Sequence, residues 1–236
     1  MLDRRSESEV VVVAKYSFYS VDIENALMNL GYRIIKISNL EELYAILESI
    51  NPKAPIFFPH FSNLLPDTLL SRFLCIGFHT GDLPLNRGGS PIQNKIIRGE
   101  YKTKVSALRL VQEMDAGPVF TYRQVDLSFG NIDEMLRRIS LLIADMVKEI
   151  LIESPEAKEQ GSEFSTFKRL SKNENKLDFE LEDLQTLYDK IRMVDGLDYE
   201  RAYFQIGEKK FSASNAVLNE SGLSFTSTIQ IRKKQS

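Results

Sequence analysis

The chain has one cysteine, two histidines, no long apolar run and almost no charge imbalance, with a formal net charge of −3 over 236 residues. Each shortage excludes something. A lone Cys75 cannot close an internal disulfide, which fits a reducing compartment. Its setting in Phe73-Leu74-Cys75-Ile76 reads as buried and inert. His60 and His79, with that one cysteine, lack zinc-ligand spacing, so no metal is expected. There is no Gly-rich loop ending in Lys-Ser/Thr to cradle phosphates. Without a general basic excess, electrostatic capture of a long nucleic acid is disfavoured, and Arg232-Lys233-Lys234 reads as a solvated tail. The apolar run from Val10 to Ala14 is too short to span a membrane or to serve as a signal core, so a cytoplasmic protein is expected.

What is present is an ordinary globular composition, 43% apolar and 27% charged, on a chain long enough for one large unit with a smaller appendage. Glu9 to Ala14 is a β-branched run of the kind found in buried parallel strands. Strand-like Tyr32–Ile37, Pro55–Phe58 and Leu74–Phe78 alternate with helix-like Val21–Leu30, Ser38–Ser49 and Pro66–Phe73. That alternation predicts an α/β fold, a Rossmann-like, mostly parallel sheet with helices on both faces. Ser90 is expected to cap a helix with Pro91 in its first turn, running to Arg98, and strands are expected at Val105–Val111 and Pro118–Val125. A helical apolar stripe from Ile132 to Ile152 closes the unit. The spacing divides the chain into residues 1–153, a linker at 154–163 and a small α+β subdomain at 164–236. In the last, Leu177-Asp178-Phe179 reads as extended, Leu181–Val194 as a helix, and Arg201–Ile206, Lys209–Ser214 and Leu223–Ile231 as strands.

Ligands of such sheets bind beyond the carboxyl ends of the strands, so His60 and His79, each closely following an apolar strand, are expected to face one crevice. With only two imidazoles in the chain, neutral-pH proton transfer has few candidates. Asp115, in the turn Asp115-Ala116-Gly117-Pro118, can approach His79, fix its tautomer and favour its charged form.

The series His79-Thr80-Gly81-Asp82-Leu83-Pro84-Leu85-Asn86-Arg87-Gly88-Gly89-Ser90-Pro91-Ile92-Gln93, then Asp115-Ala116-Gly117-Pro118, resembles the folate-dependent formyltransferase family. That family's pattern is Asn-x-His, Leu-Pro-x-x-Arg-Gly-x-x-Pro and Asp-x-Gly-Pro, and the match covers about Glu9 to Ile152. The resemblance implies an enzyme that passes the formyl group of 10-formyltetrahydrofolate to a primary amine, with His79 as general acid/base and Asp115 as its partner. It also implies folate contacts from Phe58, His60, Phe61, Arg87, Gly88 and Gly117, where packing beneath the loop is the alternative for the aromatics. Thr80, Asp82 and Asn94 are substrate-side candidates; Asp82 either contacts substrate or caps its loop.

Where the family has an asparagine whose side chain helps hold the formyl oxygen, this chain has Gly77. Substitutes open to it are the His79 imidazolium, a loop N–H, Thr80 or Asn94. The short, slightly acidic appendage argues against tRNA and resembles the tail of sugar N-formyltransferases. On that reading Arg192 meets a diphosphate and Tyr203 stacks on a base, against a salt bridge and a core ring as alternatives. The expected activity is therefore formylation of a nucleotide-linked amino sugar in polysaccharide assembly, by a homodimer that binds no nucleic acid. Methionyl-tRNA formylation, hydrolysis of the formyl donor, and a non-catalytic binding module are the rival readings.

Overall fold

The computed structural model describes residues 8–229. Its main sheet runs β2-β1-β3-β4-β6-β7. β1 (Ser8–Val13), β2 (Tyr32–Ile37), β3 (Ile56–Phe58) and β4 (Cys75–Thr80) are parallel, and β6 (Lys102–Arg109) and β7 (Val119–Asp126) continue the sheet antiparallel. Side chains of a strand alternate between faces, and β1 displays this plainly. Val10 and Val12 enter one core, Val11 and Val13 the other. A run buried on both faces needs helices on both sides. The first core is covered by α1 (Ser17–Leu27) and the long α5 (Ile132–Glu153), the second by α2 (Leu40–Ile46) and α3 (Asp67–Leu70).

Local signals set most helix ends. α5 begins with a capping box, Asn131 taking the Glu134 N–H and Glu134 the Asn131 N–H, a device worth about 1 kcal/mol. Asn39 caps α2 in the same way, through the Glu42 N–H. α1 starts four residues earlier than periodicity places it and has no side-chain cap. Ser90 does not cap α4 (Pro91–Ile97): it lies at φ +48°, and its hydroxyl accepts the Leu170 N–H instead.

β4 extends beyond the expected Phe78, because His79 and Thr80 pair with Ser106 and Val105 of β6. His79 is thus a strand residue, fixed by ladder bonds, where the sequence places it just after the strand.

The linker is not free. Lys158 and Val119 exchange backbone hydrogen bonds at 2.8 and 2.9 Å, and Arg87–Gly88 (β5) pairs with Thr166–Phe167 (β8). Beyond it lie α6 (Leu184–Arg192) and an antiparallel sheet of β9 (Tyr203–Ile206), β10 (Lys209–Asn219) and β11 (Gly222–Ile229). The Leu177-Asp178-Phe179 segment forms no strand, although Leu177 donates to Tyr203 O at 2.7 Å. The expected strand end at Gln230-Ile231 and the basic tail Arg232-Lys233-Lys234 lie outside the described residues. Among the described residues no helix is long and apolar enough to cross a membrane.

Candidate functional site

β4 delivers His79 to the carboxyl end of the sheet, where its side chain is 5% exposed. Asp115 reaches it from the loop between β6 and β7: Oδ2 lies 3.3 Å from His79 Nδ1. The same oxygen accepts the Gly88 N–H at 2.8 Å, and His79 Nε2 stands 2.8 Å from the Asn86 carbonyl. An acceptor therefore faces each ring nitrogen. An imidazolium donates to both, whereas the neutral ring can donate to only one.

The loop carrying Asp115 is held by its backbone. Asp115 sits at φ +55°, and Gln160 of the linker donates to Asp115 O and Gly117 O, each at 2.8 Å. A Cβ at position 117 would fall 1.8 Å from Arg109 O, so only glycine lets the loop close against β6. Gly88, at φ +99°, is constrained likewise, with Phe167 O at 2.6 Å from a Cβ placed there.

The pair stands at the wall of a cavity of about 220 Å³. His60, Phe61, Leu64 and Leu65 supply one side of it, Leu110, Val111 and Met114 another, and Thr80 and Gly88 also border it. His60, at φ +52°, is packed against Tyr16 and Tyr19, with ring centroids 5.5 and 6.2 Å away. Partial loss of water around the ring, and then the Lys15 charge, push His60 below the usual imidazole range, an effect held down by the exposure of the residue as a whole. Burial pushes the Cys75 thiol up to about 12, in keeping with an inert thiol.

The expected set divides. His79, Asp115, His60, Phe61, Gly88 and Thr80 converge on the cavity, and Phe58, Arg87, Gly117, Asp82, Asn94, Arg192 and Tyr203 do not border it. Phe58 is fully buried beneath Phe61, with ring centroids 4.9 Å apart. Arg87 donates to Gln160 Oε1 at 2.9 and 3.2 Å and to Glu113 at 3.1 Å, and its guanidinium lies over the Phe164 ring. It ties the linker to the Asp115 loop. Asn94 spends its amide on the carbonyls of Gly89, Ser90 and Lys168, which removes it as a substitute for the missing asparagine. Asp82 pairs with the buried Lys95 at 2.7 Å and accepts from Thr103. Burial opposes the Lys95 charge, but Asp82 and Glu100 more than offset it and hold the ammonium above its usual range. Arg192 is 2% exposed and donates to Asp189 Oδ1 at 2.6 Å, Leu127 O at 2.7 Å and Gly130 O at 3.2 Å, so it bolts α6 to the catalytic unit and offers nothing to a diphosphate. Tyr203 sits in β9 with the Lys210 ammonium 3.8 Å from its ring centroid.

Sequence reasoning missed Tyr199 and Arg169, which bring the appendage to the cavity, and Leu110 and Met114. Nothing in the local pattern around Tyr199 announces it. Met114 was within reach, since it adjoins Asp115, whereas Leu110 falls inside the strand expected at Val105–Val111. Among the described residues no cluster of three His, Cys, Asp or Glu side chains could hold a metal.

Comparison with known proteins bears on the same residues. A solved methionyl-tRNA formyltransferase from Clostridium thermocellum is 33% identical, superposes with a TM-score of 0.87, and is matched over 94% of this chain and 98% of its own. The chain belongs to the formyltransferase family. A methionyl-tRNA formyltransferase of Malacoplasma penetrans is 31% identical over 193 residues, 78% of this chain and 59% of the relative. The chain thus spans less than two thirds of the length of the curated relatives it matches. Residues 172–232 match the family model described as the C-terminal domain of methionyl-tRNA formyltransferase.

These matches overturn the sugar reading. A sugar N-formyltransferase from Shewanella is only 18% identical, with a TM-score of 0.66 over 88% of this chain and 97% of its own, a likeness of fold alone. The formyltransferase appendage was judged by its length, yet it matches the model of the tRNA enzyme's C-terminal domain. The exclusion of nucleic acid and the link to polysaccharide assembly fall with the sugar. A net charge averaged over the whole chain does not describe the surface beside one crevice.

Proposed function

We propose that this formyltransferase moves the formyl group of 10-formyltetrahydrofolate to the α-amine of methionyl-tRNA, in the cytoplasm. The observation that carries the chemistry is the His79–Asp115 pair, its histidine buried, at the wall of the cavity. The relatives at about 30% identity supply the substrate. The cavity suits the donor. Its apolar residues, Phe61, Leu64, Leu65 and Val111 among them, suit a planar heterocycle, and its polar residues include an acid/base pair for the group to be transferred.

Attack of the amine on the formyl carbon forms a C–N bond and leaves an oxyanion and an ammonium. The neutral His79 ring, with Nε2 turned from the Asn86 carbonyl, takes the ammonium proton and returns it to the departing folate nitrogen as the old C–N bond breaks. The ring, once it holds that proton, offers positive charge to the oxyanion. Asp115 is a positioning residue: it holds Nδ1 and supports the positive charge, and is itself held by the Gly88 N–H. Of the other residues lining the cavity, Phe61 and His60 are assigned to the donor and Tyr199 and Arg169 to the acceptor.

The test is formylation of methionyl-tRNA by the purified chain, followed as tetrahydrofolate release and as formyl-methionyl-tRNA. Transfer that is abolished by His79→Asn supports the reading. Absence of transfer, or transfer that survives this substitution, defeats it.

A further inference from the structure

The side chain absent at Gly77 leaves no gap. A Cβ built there would lie 2.6 Å from Leu110 Cδ2 and 3.2 Å from Leu110 Cγ, so Leu110 already fills the place that a side chain at 77 would take. Its main chain is fixed at the end of β6 by an N–H bond to Cys75 O at 2.8 Å. Its side chain is half-buried against the second core and forms part of the cavity wall that includes His79. An isobutyl group thus stands where the family resemblance puts the amide that holds the formyl oxygen.

We propose that Leu110 is a positioning residue that keeps water from the formyl carbon on the Gly77 side, so that the amine and not water accepts the formyl group. This rests on the function proposed above. In the competing reaction water adds to the formyl carbon, the bond from that carbon to the folate nitrogen breaks, and the proton passes to that nitrogen, giving formate and tetrahydrofolate. His79 serves either nucleophile, since it removes a proton from whichever one adds. Selection between them has to come from the shape and dryness of the wall. Leu110→Ala removes three carbon atoms beside Gly77, opening more space than one water's share of the liquid, roughly 30 Å³. That space adjoins the polar His79 edge, where a water finds partners.

The experiment measures tetrahydrofolate released per formyl-methionyl-tRNA formed, and tetrahydrofolate release without acceptor, in the full chain. Wild type should give a ratio near unity. Leu110→Ala should raise acceptor-free release about tenfold, a change of about 1.4 kcal/mol in barrier, and raise the ratio with it. Leu110→Met, close in volume, should keep the wild-type ratio. Gly77→Asn alone forces Leu110 aside and should lower transfer, whereas Gly77→Asn combined with Leu110→Ala gives the amide room and should bring the ratio back toward wild type. Thermal melts establish that each variant is folded, and Leu110→Val, losing one carbon, should show an intermediate ratio if the alanine variant does not fold. A folded Leu110→Ala, or the folded Leu110→Val that stands in for it, keeping the wild-type ratio overturns the assignment of Leu110 alone. A wild type that forms no formyl-methionyl-tRNA overturns the functional reading, and this one with it.

Discussion

Asp115 Oδ2 lies 3.3 Å from His79 Nδ1 and 2.8 Å from the Gly88 nitrogen, so one carboxylate oxygen joins the β4 histidine to the glycine of the Arg-Gly loop. Three separated pieces of sequence meet at that atom. Asp115→Asn can keep the Gly88 contact through its amide oxygen but loses the charge that supports an imidazolium. The expected result is a fall in kcat of about 100-fold or more with little change in KM. Steady-state kinetics on methionyl-tRNA check it, and a loss confined to KM would place Asp115 in binding instead.

Gln160 anchors the Asp115 loop from the linker through two carbonyls and is itself held by Arg87. Removing it with Gln160→Ala leaves both carbonyls and the guanidinium short of partners and should cost about 1–3 kcal/mol of stability. Activity should fall further than that loss of folded protein explains, because the loop that carries the carboxylate is loosened. Thermal unfolding and kinetics on one preparation separate the two effects.

Gly117→Ala places a methyl 1.8 Å from Arg109 O, a contact no rotamer can relieve. The loop must open, and the variant should lose more activity than Asp115→Asn together with measurable stability. A Gly117→Ala enzyme of wild-type rate would show that closure of the loop onto β6 is dispensable.

Arg192 and Asp189 test the correction to the sugar reading. Arg192→Met leaves the buried Asp189 carboxylate with only the Tyr101 hydroxyl and the Gln185 amide as donors and should destabilise the protein by about 3 kcal/mol, seen as a lower denaturant midpoint. KM for the acceptor, measured on the folded fraction, should be unchanged. A selective rise in KM would return Arg192 to the binding site.

His60 gives a pH signature. Its folded-state value, pushed down to about 4 from 6.5, means that the unfolded chain binds the extra proton first as pH falls. Stability from this group is complete above the unfolded value and is lost between about pH 6.5 and pH 4. The open edge of His60 makes the effect modest. His60→Gln should flatten denaturation midpoints over that interval, and an unaltered slope would place the ring in water.

The parallel half of the fold was legible because its signals are local. The β-branched run of β1, the alternation with helices, and the capping residues at Asn39 and Asn131 work within a few residues of themselves. The antiparallel extension of β4 was not legible, since it comes from pairing with β6, some twenty-five residues onward. The motif residues that reach the cavity were identifiable from the family pattern. The fates of Asp82, Asn94 and Arg192 were not, because each is decided by a distant partner: Lys95 and Thr103, the Lys168 carbonyl, and the carbonyls of Leu127 and Gly130. Charge read along a sequence does not distinguish a residue offered to a ligand from one that fastens two elements together.

Formylation of methionyl-tRNA by the wild-type chain and by His79→Asn, measured side by side with 10-formyltetrahydrofolate as donor, tests the central claim most directly. The account predicts formyl-methionyl-tRNA from the wild type and a rate at least about 100-fold lower from a folded variant. No product from the folded wild type, or equal rates from the two proteins, would contradict it.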